Sequence, residues 1–139
     1  MACRNYERGY EQEKNAVAIL EHNGFWAMRT HASKGVVEII GVGPAGTILA
    51  QAKRNKPKYA PKSIRAVATA YKDDLARLQE ITPGIGTSIE LWHYTDPARP
   101  GTRGLWRRFR VTRGEPGLQE IPMISIPPPA KRSKRRAAA

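Results

Sequence analysis

Residues 36–54 constrain the fold of this chain more than any other stretch. Two apolar runs rich in β-branched residues, 36–42 and 47–52, flank the turn residues Gly43-Pro44-Ala45-Gly46, which predicts a β-hairpin. Both runs are apolar on both faces apart from a few polar positions. This pattern is typical of strands that other elements cover on both sides. The hairpin is therefore expected in the interior of the domain.

Three polar side chains interrupt this hairpin. With the turn centred on Pro44-Ala45, Glu38 lies opposite Gln51, and Lys53 points to the same face two residues further along. A charge among apolar strands costs several kcal/mol unless it is paired or bound to a metal. The hairpin alone leaves two interpretations open, a structural Glu38–Lys53 ion pair and a functional site.

The segment before the hairpin supplies another acid. Residues 9–23 are predicted to form a helix that ends at Gly24. Its apolar stripe comprises Tyr6, Tyr10, Val17 and Leu20. Glu13 lies in the middle of that stripe, where a core residue is expected. The alternative is that the stripe has an exposed edge and Glu13 is merely solvated.

The rest of the chain alternates strands with one more helix. Strands are predicted at 25–30, 88–94 and 105–112, and a second helix at 63–80 begins after the N-cap residue Ser63. The order helix, three strands, helix, two strands predicts an α/β fold with a mixed central β-sheet flanked by helices.

Charge indicates the kind of partner. The 139 residues carry a formal net charge of +12, with a pI near 10.4, and nucleic acid is the commonest polyanionic partner. The single cysteine, Cys3, excludes an internal disulfide and a thiolate metal cluster. With no long apolar segment or signal peptide, we expect a cytoplasmic protein, associated with the nucleoid or acting inside a virus-infected host.

Several motifs occur in a familiar order: Gly9-Tyr10-Glu11-Gln12-Glu13-Lys14-Asn15, Gly24-Phe25, Ala32-Ser33-Lys34-Gly35, Glu38-Ile39-Ile40 and Gln51-Ala52-Lys53. This series resembles the PD-(D/E)xK nuclease superfamily and, within it, the archaeal-type Holliday junction resolvases. The resemblance covers about residues 7–112 and implies a restriction-endonuclease-like core. It divides the chain into a flexible arm (1–8), a nuclease domain (9–113) and a disordered, Pro-rich and basic tail (114–139).

The resemblance also implies a catalytic set, which comprises Glu13, Ser33, Glu38, Gln51 and Lys53. Mg²⁺ is expected on Glu13, Glu38, Gln51 and the carbonyl of Ala52, because hard cations prefer oxygen ligands. Mn²⁺ is expected to substitute for it. Lys53 would position the attacking water. Gln51 stands where the family has an acid, and Glu38 stands where it has an aspartate. The lost charge at Gln51 predicts weaker metal binding unless Glu13 compensates.

The implied function is a homodimeric, metal-dependent endonuclease that resolves four-way (Holliday) junctions by paired phosphodiester hydrolysis. Phosphate contacts are expected from Arg4, Arg8, Lys34, Arg54, Lys56, Lys58 and Lys62. Two alternatives stay open: a restriction-like or repair nuclease for duplex, flap or single-stranded DNA, and a non-catalytic basic DNA-binding protein. The aromatic residues Trp92, Trp106 and Phe109 could form a dimer patch, although a core position is the expected one.

Overall fold

A computed structural model describes residues 2–30 and 35–128, with side chains from Gly9 onward in the first helix. The helices are α1 (Ala2–His22), α2 (Ile64–Ala70) and α3 (Lys72–Gln79). The strands are β1 (Trp26–Arg29), β2 (Ile39–Gly43), β3 (Gly46–Asn55), β4 (Thr87–Thr95), β5 (Leu105–Val111) and β6 (Leu118–Ile121). Within these described ranges, no helix combines the length and apolar character needed to cross a membrane.

The six strands form one mixed sheet in the order in which they occur along the chain. β3 and β4 are parallel, because α2 and α3 form the crossover between them, and every other pair is antiparallel. The predicted hairpin register is confirmed, since Ile40 pairs with Leu49. The turn closes on Gly46 at φ 142°, where an added Cβ would lie 2.2 Å from the Gly86 carbonyl oxygen.

The sheet separates two hydrophobic cores. Ile48 and Ala50 of β3 pack in the core under α1, whereas Leu49 between them faces the core that contains residues of α2 and α3. The aromatic residues considered for a dimer patch are core residues, because Trp92, Trp106 and Phe109 are 0%, 7% and 0% exposed. The mixed sheet with helices on both faces confirms the predicted fold class.

The buried face of α1 differs from the predicted stripe. Gln12, Ala16, Ile19 and Leu20 are buried, whereas Tyr10 is 41% exposed. Glu13 therefore lies at the edge of the buried face and not in its middle. The helix comes close to the sheet at Gly41, where an added Cβ would lie 3.0 Å from Leu20 Cδ1. Small residues at this contact determine which side of the helix faces inward.

Regular structure extends further than the sequence indicates. Helix α1 already begins at Ala2, within the expected arm, and β6 lies beyond the expected boundary at residue 113. Leu118 of β6 is 3% exposed and belongs to the core with α2 and α3. The predicted helix 63–80 is divided at Tyr71, and Ser63 caps it as predicted, with Ala66 N–H donating to its Oγ at 3.0 Å. Residues 129–139 of the expected tail lie outside the described ranges.

Candidate active site

The polar cluster lies where the pairing of β2 with β3 ends. The ladder stops at Ile39 and Ala50, so the predicted pair of Glu38 and Gln51 is not a ladder pair. The backbone N–H of Glu38 instead donates to the Ala50 carbonyl at 2.9 Å. Its side chain turns back, and Oε1 accepts from the Ala52 N–H at 3.3 Å. The Glu38 carboxyl group thus accepts the Ala52 N–H in place of a backbone carbonyl of a neighbouring strand, and this bond fixes the position of the Glu38 side chain.

The second carboxyl group comes from α1. Glu13 is hydrogen-bonded to Glu38, and the burial of Glu38 together with this contact and the charge of Glu13 raises the pKa of Glu38 to about 8. The charge of Lys53 and the Ala52 N–H lower this pKa only partly. With a pKa of about 8, Glu38 keeps its proton at neutral pH unless a cation takes its place. The pair is therefore a site prepared for positive charge.

Arg29 of β1 holds Glu13 from the other side. Its Nε donates to Glu13 Oε2 at 2.8 Å, and both side chains are 14% exposed. The guanidinium also lies 3.9 Å from the centre of the Tyr10 ring. Glu13 is therefore held in one orientation and is not turned to bulk water.

Gln51 and Lys53 of β3 share a partner on α3 that the sequence analysis missed. Asp74 of α3 accepts from Gln51 Nε2 at 3.3 Å and pairs with Lys53 Nζ at 2.8 Å. Burial raises the pKa of Asp74, but the bond and charge of Lys53 and the amide of Gln51 outweigh it, so this pKa is lowered overall. The side-chain amide oxygen of Gln51, Oε1, is buried and has no hydrogen-bond partner.

A neutral polar network continues from Lys53 along the sheet. The ammonium of Lys53 lies 5.5 Å from the centre of the Tyr71 ring, and the Tyr71 hydroxyl donates to Asn55 Oδ1. The same oxygen lies 2.7 Å from His93 Nε2. Burial, with a smaller contribution from the charge of Arg107, lowers the pKa of His93 to about 4. His93 is therefore neutral at pH 7, and the positive charge beside the carboxylates comes from Arg29 and Lys53.

The predicted phosphate contacts divide into three groups. Lys56, Lys58 and Lys62 are exposed on the loop after β3. Arg54 instead donates to Asp96 at 2.5 Å and lies 3.5 Å from Glu11, so its charge is used within the protein. Ser33 and Lys34, and the side chains of Arg4 and Arg8, lie outside the part of the chain that the structure describes.

The sequence did carry a signal for Asp74. It lies three residues after Tyr71 and four before Leu78, on the apolar side of the predicted second helix, just as Glu13 interrupts the first. Arg29 gave no comparable signal, because a single cation in a short edge strand is common on protein surfaces.

The donor set suits a hard cation without being rich in acids. Among residues 2–30 and 35–128, no three His, Cys, Asp or Glu side chains are grouped as a metal site. The carboxyl groups of Glu13 and Glu38 are hydrogen-bonded to each other and supply two oxygen donors. The side-chain amide oxygen of Gln51 on β3, which has no hydrogen-bond partner, is a third candidate ligand. A hydrogen-bonded pair of carboxyl groups and a buried oxygen without a partner fit a magnesium ion that keeps several waters.

No protein-family model matches the sequence, and no curated protein matches it. Among solved structures, the chain is similar to Archaeoglobus fulgidus Hjc, a Holliday junction resolvase from an archaeal hyperthermophile. The match has a TM-score of 0.52 and 19% sequence identity, and covers 82% of this chain and 83% of that chain. The chain therefore shares the restriction-endonuclease-like fold of a solved Holliday junction resolvase.

Proposed function

We propose that this protein is a magnesium-dependent endonuclease that cuts branched DNA, with four-way junctions as its substrate. One observation carries the proposal: a Glu13–Glu38 carboxyl pair, with the pKa of Glu38 raised to about 8, lies beside Lys53 in a nuclease-like fold. The net charge of +12 supplies attraction for a polyanionic substrate.

The metal would be held by Glu13, Glu38, the amide oxygen of Gln51 and the carbonyl of Ala52. The N–H and C=O of a strand residue point the same way, so the Ala52 carbonyl faces the edge at which Glu38 accepts the Ala52 N–H. When bound, the ion neutralises phosphate charge and makes water a better nucleophile at neutral pH. Glu38, whose pKa is about 8, would give up its proton to serve as a ligand.

The protein's own groups then orient the reaction. Lys53 holds its ammonium beside the carboxylates and positions the water for in-line attack on phosphorus. Arg29 keeps Glu13 directed at Glu38. The products are a 5′-phosphate and a 3′-hydroxyl.

Substrate binding would use the exposed lysines of the loop that follows β3, namely Lys56, Lys58 and Lys62. This loop continues the strand that carries Lys53, so phosphates bound there lie next to the reacting bond. Paired cuts on opposing strands need two sites, so we propose a homodimer. Its contact would be the apolar patch of β1 and β2 formed by Trp26, Met28 and Val42, which are 62%, 40% and 46% exposed.

The test is incubation of purified protein with a synthetic four-way junction and Mg²⁺. We expect symmetric nicking that stops in EDTA, and a loss of about 10²–10³-fold in rate for Lys53→Ala. Lys72→Ala is the matched control, because Lys72 is exposed at the start of α3. Nicking that Lys53→Ala leaves unchanged would rule out the assigned chemistry.

Competing substrates separate the alternatives. Equal cutting of duplex, flap or single-stranded DNA would indicate a restriction-like or repair nuclease and not a junction resolvase. Salt-sensitive binding without cleavage in Mg²⁺ or Mn²⁺, and without calorimetric metal binding, would indicate a non-catalytic DNA-binding protein.

A further inference from the structure

Asp74 is the carboxylate of the site region that the proposed mechanism does not use. It extends from α3 and contacts two residues of β3 at once. One oxygen lies 2.8 Å from Lys53 Nζ and the other accepts from Gln51 Nε2 at 3.3 Å. Its side chain is 27% exposed and that of Lys53 is 25% exposed, so water screens this pair only partly. Asp74 is therefore in direct contact with two residues of the proposed site.

The first consequence concerns the orientation of the Gln51 amide. A carboxylate accepts hydrogen bonds and cannot donate them, so the amide presents its nitrogen to Asp74. The amide oxygen must then point away from Asp74. That oxygen is buried and has no partner, in a residue that is only 5% exposed. Asp74 thus selects the amide orientation that leaves an oxygen ligand available.

The second consequence concerns charge. When Glu38 is ionised, as metal binding requires, the pocket without Asp74 has two carboxylates, Glu13 and Glu38, against the two cations Arg29 and Lys53. Such a balanced set has no net attraction for a divalent cation. The charge of Asp74, placed directly on Lys53, makes the set negative.

We propose that Asp74 is a positioning residue that presents the Gln51 oxygen to the metal and supplies the negative charge that a neutral amide lacks. The inference rests on the proposed function and assigns the acid that makes a glutamine usable at this position. Asp74 acts through Gln51 and Lys53 and touches neither the metal nor the DNA.

The experiment compares three variants with the wild-type protein: Asp74→Asn, Asp73→Asn and the double variant Gln51→Glu with Asp74→Asn. The asparagine of the first variant has no charge to neutralise Lys53, and its own amide no longer selects one orientation of the Gln51 amide. Mg²⁺ affinity in calorimetry and the junction cleavage rate should therefore each fall about 10-fold or more. Asp73→Asn is the matched control, since Asp73 is exposed on the same turn of α3. It should change both quantities by about twofold at most.

The double variant distinguishes positioning from structural support. It places a negative charge at position 51, and the asparagine at position 74 can donate a hydrogen bond to the new carboxylate. We expect Mg²⁺ affinity and cleavage to recover to within about threefold of wild type. A residue that merely supports the fold would not be rescued by moving its charge to the neighbouring strand.

The outcomes separate this inference from the proposed function. If wild-type protein cuts junctions and Asp74→Asn matches Asp73→Asn in affinity and rate, the inference is overturned and the proposed function stands. If wild-type protein binds Mg²⁺ but does not cut, the proposed function fails and the calorimetric comparison still decides the role of Asp74. Wild-type protein that binds no Mg²⁺ overturns both.

Discussion

Two glutamates, Glu90 within the sheet and Glu38 directly before β2, differ in what surrounds them. Glu90 of β4 is 0% exposed, and Arg108 binds both of its oxygens, with its Nη2 at 2.8 Å from Oε2. The indole N–H of Trp92 also donates to Glu90 at 2.8 Å. Glu38 is hydrogen-bonded to another carboxyl group, Glu13, and to a single backbone N–H, and the charge of Lys53 offsets only part of the cost.

The difference shows that burial alone does not mark a functional acid. The charge of Glu90 is compensated within the fold, and nothing else is needed to keep it there. The charge of Glu38 is opposed by its neighbour, so the folded protein keeps a proton or takes up a cation at that place. A functional role is therefore inferred for Glu38, whose charge is not compensated, and a structural role for Glu90, whose charge is.

The largest expected effect is on catalysis. Glu38→Gln should reduce junction cleavage by about 10³-fold or more, because it removes a carboxylate from the proposed metal site. The same variant should be at least as stable as wild type at pH 8 in EDTA, because a neutral amide has no charge to bury. Cleavage assays and thermal unfolding of the same preparation measure both. A stable variant with wild-type cleavage would show that Glu38 is not part of the reaction.

At Glu90 the expected effect is on stability and not on catalysis. Arg108→Met leaves Glu90 charged and unpaired in the core, and should lower the free energy of unfolding by about 3–5 kcal/mol. Urea denaturation measures this loss. The double variant Arg108→Met with Glu90→Leu should regain much of the stability, because both charges are then absent. Equal stability of the single and double variants would contradict a compensated structural pair.

The stability of the metal-free protein should depend on pH through Glu38. The pKa of this group is about 8 in the folded protein and near 4.5 in the unfolded chain. Between these values the folded protein holds a proton that the unfolded chain has released, so the free energy of unfolding falls as pH rises from 4.5 to 8. Unfolding midpoints in EDTA should show this decrease, and Glu38→Gln should remove it. If the decrease persists in Glu38→Gln, a titrating group other than Glu38 causes it.

Much of the fold could be predicted because each element has a strong local signal. The Gly43–Gly46 turn fixed the hairpin and its register, and the Ser63 cap fixed the start of α2. Strand β6 was missed because residues 114–121 are dense in turn residues, and only pairing with β5 makes them a strand. Pairing across the sheet is a tertiary effect that a local pattern does not contain.

The site was predictable in part for the same reason. Glu13 and Glu38 could be singled out as acids at apolar positions, and the structure brings them into contact. Asp74 gave the same kind of signal, but its side chain meets Gln51 and Lys53 only through the crossover that places α3 on β3. The register of a helix on a sheet depends on packing volumes, which spacing along the chain does not specify.

The smallest expected effect concerns His93, whose Nδ1 is buried without a hydrogen-bond partner. Its pKa is about 4 in the folded protein and near 6.5 when unfolded. As pH falls from 6.5 to 4, His93 takes up a proton in the unfolded chain but not in the folded protein, so the free energy of unfolding falls. Between pH 4.5 and 6.5 this trend opposes that of Glu38, and the wild-type profile should be nearly flat there. Glu38→Gln should uncover the rise of stability with pH, and adding His93→Gln should abolish it, because Arg107 and Asn55 then face a side chain that does not titrate.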